Sequence, residues 1–376
     1  MGKKNINLGF LFPSDTKWTG GVNYFISLVT SLSLIQSKNF KFIIIANLNN
    51  KSLLKFNKIN KKNITYTNFF NDNHILNLIR KVILFIFRED YVLHYFLNKY
   101  KINLFSHYKP LKKIKSLCWI PDLQHLYLKK NFNENEIRRR DKLFSQYLEN
   151  SHAIIVSSED TKKKLFKNYK KAKNKKIKVL NFVPKINLNK LNYLDKKKYE
   201  LKKSYLYIPN QFWPHKNHEI LIKCARELKI KNYYIQFVMS GNNTIKKRYY
   251  DSLIMQIKKL KLNNYFYYVG MIPKDDVSKL IFNSKAVINP SLFEGWNTSV
   301  EESKILKKKI ILSDIPVHRE QALTNAIFFE KNNHKQLAEI IIDLKYKKNI
   351  NLRKIKNDYE ISRKNFAKNY FDIIQD

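Results

Sequence analysis

Short apolar runs alternate with amphipathic stretches along the chain, a pattern typical of a parallel sheet covered by helices. Asn5 to Phe12 and Phe40 to Ala46 predict buried strands, and Val22 to Leu34 predicts a helix between them, after a loop that holds Gly20 and Gly21. Strand, helix and strand in this order form a βαβ unit, which requires a parallel sheet. The first half also predicts strands at 103–107, 116–120, 153–157 and 177–183, and a helix over 161–169 with Ser or Asp as its cap.

The same alternation restarts in the second half, after a Lys-rich, polar stretch at 187–203 that we interpret as a linker. Strands are predicted at 205–208, 234–239, 266–269, 286–288, 310–312 and 326–329, and helices over 218–228, 252–260, 275–282, 298–306 and 336–344. The chain is therefore predicted to be α/β, with two tandem Rossmann-like, doubly wound parallel-sheet domains that face a cleft. We place the domains at 1–190 and 204–355, and expect a final helix at 356–376 to pack back on the first domain.

The net charge is the unusual feature of the composition. Lys and Arg number 72 against 30 Asp and Glu, giving a formal charge of +42. Such an excess indicates a nucleic acid or an anionic membrane as partner. However, 62 of the cations are Lys and only 10 are Arg. Proteins that grip phosphates favour Arg, because its guanidinium fork binds them bidentately.

Several classes of protein are disfavoured. The start of the chain has no signal-peptide pattern, and the longest apolar run, Val82 to Phe87, is far short of the ~20 residues of a membrane span. Cys118 and Cys224 are the only two cysteines, and their separation fits neither a zinc nor a redox site. A cytoplasmic location is therefore expected.

The strongest chemical pattern is the stretch 289–302, Asn-Pro-Ser-Leu-Phe-Glu-Gly-Trp-Asn-Thr-Ser-Val-Glu-Glu. A strand ends near Pro290, a tight loop carries Glu294 and Gly295, and a helix begins near Thr298. The free N–H groups of a helix start form an anion site that suits a diphosphate. Carboxylates beside such a site are suited to accept hydrogen bonds from sugar hydroxyls. For an isolated pair of Glu residues, a solvated helix position is the better interpretation.

Three weaker patterns accompany it. Lys216 lies in a loop at the carboxyl edge of the second sheet and can place a positive charge on a phosphate. His125 follows a strand of the first domain and can bond a hydroxyl or a phosphate. Gly20 and Gly21 permit close approach of the backbone to a ligand. Each residue alone has a plain structural explanation, as an exposed Lys, a structural His or a tight turn.

Together these residues resemble the retaining GT-B glycosyltransferases of glycosyltransferase family 4. Glu294 and Glu302 have the spacing of that family's Glu-x7-Glu motif, and the stretch 313–320 is similar to the strand and loop that follow it. Lys216 matches the family's basic donor-phosphate loop. His125 matches its N-domain histidine, and Gly20-Gly21 matches its glycine loop. The resemblance covers nearly the whole chain, with the matches in order in both domains.

The resemblance implies an acceptor domain followed by a nucleotide-sugar donor domain, and the transfer of a sugar with retention at the anomeric carbon. Glu294, His125 and Lys216 would be catalytic: Glu294 would contact hydroxyls of the transferred sugar, and Lys216 would stabilise the leaving diphosphate. No divalent metal is implied, and the chain has no Asp-x-Asp motif. The implied donor-binding residues are Gly20, Gly21, Gln211, Lys216, Gly295, Trp296, Asn297, Thr298 and Glu302, with Glu302 on the donor ribose.

Three positions depart from the family pattern. Gln211 stands where the family commonly has an Arg, so one positive charge on the diphosphate is missing unless another Lys supplies it. Asn297 replaces a glycine, and Asn tolerates left-handed geometry better than other non-Gly residues. Ser299 replaces a proline and could cap or hydrogen-bond instead.

The expected donor is a GDP- or UDP-sugar such as GDP-mannose, and the expected acceptor is a glycan or glycolipid of envelope polysaccharide, as in lipopolysaccharide. An inactive GT-B-like binding protein and a basic nucleic-acid-binding protein remain the alternatives, although no nucleic-acid motif supports the second. Positions 1–190 carry 37 cations and 11 carboxylates, hence +26, and the segment 75–97 combines large apolar residues with Arg80, Lys81 and Arg88. This segment either binds peripherally to an anionic membrane or is buried as a helix, and the sequence favours neither interpretation over the other.

Overall fold

The computed structural model describes residues 5–12, 19–35, 40–46, 64–68, 74–87, 90–111, 113–191, 199, 201, 204–322, 324, 326–345 and 351–375. These residues form two compact units. The first unit contains the described residues of 1–123, 134–185 and 362–376, and the second contains those of 124–133 and 186–361. Most of the predicted linker lies outside the described residues.

The first unit is built on a parallel seven-stranded sheet in the order β3-β2-β1-β4-β5-β6-β7. The strands are β1 Ile6–Leu11, β2 Phe40–Ala46, β3 Ile64–Asn68, β4 Leu104–Ser106, β5 Lys115–Ile120, β6 Ala153–Val156 and β7 Ile177–Val179. Six of them confirm predicted strands, although β7 is shorter than predicted. The strand β3 was missed because its sequence ITYTN has no run of apolar residues.

Helices of the first unit are α1 Thr19–Leu32, α2 His74–Phe87, α3 Tyr91–Lys99, α5 Glu134–Asn150 and α6 Glu159–Asn168. The cap predicted for α6 is confirmed: Ser158 Oγ accepts a hydrogen bond from Thr161 N at 3.1 Å. The helix α1 begins earlier than predicted, so Gly20 and Gly21 lie in its first turn rather than in a loop. Residues 362–375 of the last helix also belong to this unit, where Tyr370 packs on Phe10.

A second parallel sheet, with six strands in the order β10-β9-β8-β11-β12-β13, forms the second unit. The strands are β8 Tyr205–Pro209, β9 Gln236–Ser240, β10 Phe266–Tyr268, β11 Ala286–Asn289, β12 Ile310–Ser313 and β13 Ala326–Phe329. Its helices are α4 Gln124–Tyr127, α7 His218–Ile230, α8 Lys247–Lys259, α9 Lys274–Asn283, α10 Thr298–Ile305, α11 Pro316–Gln321, α12 His334–Ile342 and the beginning of α13 Leu352–Gln375. The predicted α/β class with two doubly wound parallel sheets is confirmed.

The strand order of the second unit determines where a ligand can bind. The order reverses between β8 and β11, and ligands of doubly wound sheets bind at such a reversal, beyond the carboxyl ends of the strands. Both strands are wholly or largely buried and apolar, so the polar residues that follow them emerge together at one edge. The two loops at this edge carry Lys216 and Glu294.

Candidate functional site

A hydrogen bond between the two loops holds them together. The loop after β8 contains a short 3-10 helix, Pro214–Lys216, which ends at Asn217 with a left-handed φ of 53°. The carbonyl of His215 accepts a hydrogen bond from Leu292 N, in the loop after β11, at 2.7 Å. Residues far apart in the sequence are thereby fixed side by side.

Lys216 and Glu294 form the centre of the candidate site. Lys216 Nζ lies 2.5 Å from Glu294 Oε1, and the two side chains are only 15% and 9% exposed. Burial raises the pKa of Glu294, but the charges of Lys216, His215 and His318 outweigh it and bring the pKa below the ordinary value. The Glu294 carboxyl group is therefore ionised at neutral pH, in surroundings where its field is only weakly screened.

Asn297 connects this ion pair to the start of α10. Its Oδ1 caps the helix by accepting from Ser299 N at 3.1 Å, and its Nδ2 donates to Glu294 Oε1 at 3.0 Å. The residue is extended, with φ of −94°, so the left-handed turn for which Asn was invoked is not formed. Ser299 donates to Asn297 Oδ1 at 2.8 Å, which agrees with the prediction that it hydrogen-bonds in place of a proline.

Gln321, which the sequence did not single out, clamps Asn297. Its Oε1 accepts from Asn297 N, and its Nε2 donates to Asn297 O, both at 3.1 Å. The N–H of Asn297 is therefore already donated to Gln321. Among the described residues, the N–H of Thr298 has no partner and stays available to an anion. The only sequence signal for Gln321 is its place directly after the stretch 313–320.

Glu302 is 1% exposed and forms an ion pair with Lys274, at the start of α9. Removing a carboxylate from water is costly, so its burial requires a cation beside it. Lys274 was also missed by the sequence interpretation, because nothing distinguishes it from the other lysines. Burial lowers the pKa of Lys274 to about 7, so an amine that is only partly charged at neutral pH lies next to a residue that the motif assigns to the donor ribose.

His318 lies at the beginning of α11, close enough to Glu294 for each group to shift the pKa of the other. Burial lowers its pKa to about 4, so the ring is neutral at physiological pH. The carbonyl of Ser313 accepts a hydrogen bond from its Nδ1 at 2.9 Å. The proton is therefore on Nδ1, and Nε2 is left as a buried acceptor.

Several buried polar atoms around this edge have no partner among the described residues. Native proteins rarely leave such atoms unsatisfied, so a group of them marks a place where a ligand or water completes the hydrogen bonding. They lie at or after the carboxyl ends of β8, β11 and β12: Asn210 Nδ2, Asn289 Nδ2, Ser291 Oγ, Trp296 Nε1 and His318 Nε2.

Gln211 connects the edge to the loop after β9. Its Oε1 accepts a hydrogen bond from Asn242 N at 2.7 Å. The neighbouring Gly241 has φ of +146°, and a Cβ there would lie 2.4 Å from the carbonyl oxygen of Asn210. Gln211, which stands where the family commonly has an Arg, thus has a structural role of its own.

The other predicted residues are divided between the Glu294 loop and other parts of the fold. Gly295 and Trp296 are in the Glu294 loop itself. His125 is in α4, in a segment that groups with the second unit, and its side chain is fully buried. Two residues further on, Tyr127 stacks on Phe293 with ring centroids 5.8 Å apart. Gly20 and Gly21 belong to the first unit.

The parts of the chain that the structure describes contain no group of three His, Cys, Asp or Glu residues that could hold a metal ion. No helix among them is long and apolar enough to cross a bilayer.

Comparison with known proteins finds a family model that covers Lys216, Glu294 and Glu302. Residues 189–361 match the family model "Glycosyl transferases group 1". The O-antigen chain mannosyltransferase RfbU of Salmonella typhimurium is 21% identical over 289 residues, which are 76% of this chain and 77% of that protein.

Solved structures show the same fold. A glycosyltransferase from Rickettsia africae has a TM-score of 0.63 at 17% identity, covering 99% of this chain and 98% of its own. Anabaena Alr3699/HepE, in complex with UDP-glucose, scores 0.64 at 13% identity over 96% and 94% of the chains. Sucrose-phosphate synthase from Thermosynechococcus elongatus scores 0.68 at 10% identity over 98% of both. The fold is GT-B, and together with the family-model match over residues 189–361 it supports a glycosyltransferase of the GT-B type.

Proposed function

We propose that the protein is a retaining, metal-independent glycosyltransferase of family 4 that acts in cell-envelope polysaccharide synthesis. The donor is a GDP- or UDP-sugar and the acceptor is a glycan or a lipid-linked glycan. GDP-mannose is the first candidate, because the similar Salmonella protein is an O-antigen chain mannosyltransferase. UDP-glucose is the second, since it is bound by the structurally similar HepE.

The observation that carries this proposal is the buried Lys216–Glu294 pair, at a sheet edge that also carries buried polar atoms without a partner among the described residues. A bound nucleotide-sugar supplies what each group lacks. Its diphosphate takes the ammonium of Lys216 and the free N–H of Thr298. Its sugar hydroxyls donate to Glu294, and His318 Nε2 accepts a further hydrogen bond.

The proposed reaction breaks the bond between the anomeric carbon and the diphosphate oxygen, and forms a bond from that carbon to an acceptor hydroxyl oxygen. The bonding electron pair leaves with the diphosphate, and the hydroxyl proton is transferred to the leaving phosphate on the same face of the sugar. Negative charge grows on the phosphate as the bond breaks. A positive charge already fixed beside it therefore stabilises the transition state more than the ground state.

Metal independence is part of the proposal and follows from the same charges. Lys216 and the start of α10 supply positive potential where a divalent ion would otherwise act, and Glu302 is already paired with Lys274. Full turnover in the presence of excess EDTA is the expected result. The proposed location is cytoplasmic and peripheral, on the inner face of the membrane.

An inactive GT-B-like binding protein is the competing hypothesis, with Gln211 and Asn297 as its evidence. The contacts of these residues favour an intact site instead. Gln211 holds the loop after β9, and Asn297 both caps α10 and donates to Glu294. Asn297 thus maintains the geometry around the ion pair, and Gln211 that of the loop after β9.

A panel of GDP- and UDP-sugars, first in a thermal-shift assay and then in a turnover assay, tests the proposal. We expect one donor to stabilise the protein and be consumed, and Lys216→Met to reduce kcat by about 10²–10³-fold. The matched control is Lys247→Met, since Lys247 pairs with Asp251 in the same unit but both side chains are exposed. Unchanged turnover in Lys216→Met, or binding without any turnover, would contradict the proposal.

A further inference from the structure

The helix α2 exposes its apolar side chains instead of burying them. Leu78, Phe85 and Ile86 are 63%, 82% and 62% exposed, and Ile79, Val82 and Phe87 are about half exposed. Large apolar side chains exposed together, rather than singly, mark an interaction surface. These six residues are called the α2 face.

Helical geometry places most of this face on one side. At 3.6 residues per turn, Leu78, Ile79, Val82, Phe85 and Ile86 occupy one continuous arc of about 120°. The exposed Lys81 borders this arc. The arrangement is amphipathic, but its apolar side faces solvent.

Arg80 points away from the arc. It pairs with the buried Asp90, with Nε 3.0 Å from Oδ1, and Asp90 also caps α3 by accepting from Leu93 N. This contact attaches α2 to α3 and removes a cation from the apolar side. The hydrogen bonds from Arg80 and the N–H of Leu93 keep the pKa of Asp90 below its ordinary value despite burial, so the link persists at neutral pH.

The exposed side of α3 continues the surface with interfacial residues. Tyr91, Tyr95 and Lys99 are spaced four apart and therefore lie on one side of the helix. Tyr91 packs edge-on against Phe87 with centroids 5.6 Å apart, and Lys99 Nζ lies 5.9 Å from the centre of the Tyr95 ring. Tyrosine and lysine beside an apolar surface are typical of a membrane interface, where rings sit at the headgroups and lysine extends toward phosphate.

We propose that the α2 face and the adjoining side of α3 dock on an anionic lipid bilayer, with α2 lying in the plane of the interface. A helix of 14 residues is about 21 Å long, too short to span the ~30 Å hydrocarbon layer but suited to lie on it. The segment 74–101 carries five cations and two carboxylates, hence +3, and the whole chain carries +42. This charge attracts anionic headgroups and repels a second copy of the chain.

The inference specifies the membrane association within the proposed function, and it rests on α2 and α3 rather than on the donor site. Failure of the two is therefore distinguishable. If the protein turns over the donor but does not bind vesicles, the docking inference is wrong and the proposed transferase activity stands. If it binds vesicles but turns over no donor, the proposed activity is wrong and the docking inference stands.

Co-sedimentation of the full chain with two vesicle preparations tests the inference. One is pure phosphatidylcholine, and the other is an equal mixture of phosphatidylcholine and phosphatidylglycerol. We expect binding to the anionic vesicles and at least about tenfold weaker partitioning on the neutral ones at low salt. Ile86→Asp should weaken binding to the anionic vesicles by about tenfold or more, because it places a carboxylate in the buried part of the interface.

Ile230→Asp is the matched control. Ile230 on α7 is 65% exposed, close to the value for Ile86, but it lies in the second unit, outside the proposed surface. We expect this variant to bind vesicles like the wild type. Equal binding by Ile86→Asp and Ile230→Asp, or no dependence on anionic lipid, overturns the inference. A soluble oligomer that Ile86→Asp dissociates, without vesicle binding by the wild type, overturns it as well.

Discussion

Replacing Lys216 with Met is expected to destabilise the second unit. It should also reverse the sign of the contribution that Glu294 makes to the pH dependence of stability. The substitution keeps an unbranched chain of similar length but removes the ammonium that lies 2.5 Å from Glu294 Oε1. The Glu294 carboxylate then loses its main compensating charge. This loss is costly because the side chain is almost fully buried and water cannot replace the ammonium. Breaking one side of a buried ion pair costs about 3–5 kcal/mol.

The pH dependence follows from the pKa of Glu294. In the wild type this pKa is below its ordinary value of 4.5, so the group stabilises the fold above that pH and the stabilisation is lost as the pH falls. Without Lys216, burial is the largest influence and raises the pKa. The carboxyl group then stabilises the fold in its protonated form, and this stability is lost as the pH rises. The difference in stability between wild type and variant should therefore widen from about pH 4 to pH 7.

Differential scanning calorimetry over this pH range measures the difference. A unit of this size shifts its Tm by roughly 2–4 °C per kcal/mol, so the expected loss at neutral pH is well outside experimental error. The double variant Lys216→Met/Glu294→Gln should recover much of it, because no unpaired charge remains. Single and double variants with the same Tm, or a difference that narrows toward neutral pH, would refute the proposed electrostatics of the pair.

The remaining predictions concern the surroundings of the pair. Gln321→Ala should cost about 1–3 kcal/mol and raise the KM for the donor, since both backbone groups of Asn297 lose their partner; calorimetry and steady-state kinetics measure this. Gly241→Ala should lower Tm by several degrees, because its Cβ would meet the Asn210 carbonyl and φ is left-handed, whereas Gly270→Ala, with open space around it, should lower Tm less. The ring of His318, with a pKa of about 4, should show no NMR titration between about pH 6 and pH 8; a midpoint near 6.5 would contradict its burial as a neutral acceptor.

The sheet strands were predictable because both sheets are parallel and covered. Strands such as Ala286–Asn289 and Ile310–Ser313 are buried along their whole length, so they are apolar runs that end where polar residues begin. The helix α5 escaped prediction for the opposite reason. Only Phe144 and Leu148 are buried in its 17 residues, too few to give an apolar period.

At the candidate site, the sequence pattern located the loops but not the contacts. Spacing identifies Glu294 and Glu302, and a basic loop identifies Lys216. Gln321 and Lys274 depend on contacts across 24 and 28 positions of the chain, which no local pattern records. The roles of the identified residues in donor binding, and the domain boundaries at 190 and 204, stay predictions.

The anomeric configuration of the product tests the central claim most directly. The donor identified in the thermal-shift panel is turned over by the wild-type protein with water as the acceptor, and the released sugar is observed by NMR before it can mutarotate. The predicted result is retention of the donor's configuration, with product formed about 10²–10³-fold more slowly by Lys216→Met and at the wild-type rate by Lys247→Met. An inverted product, or the same rate of retained product from Lys216→Met, would contradict a retaining transfer that depends on the Lys216–Glu294 site.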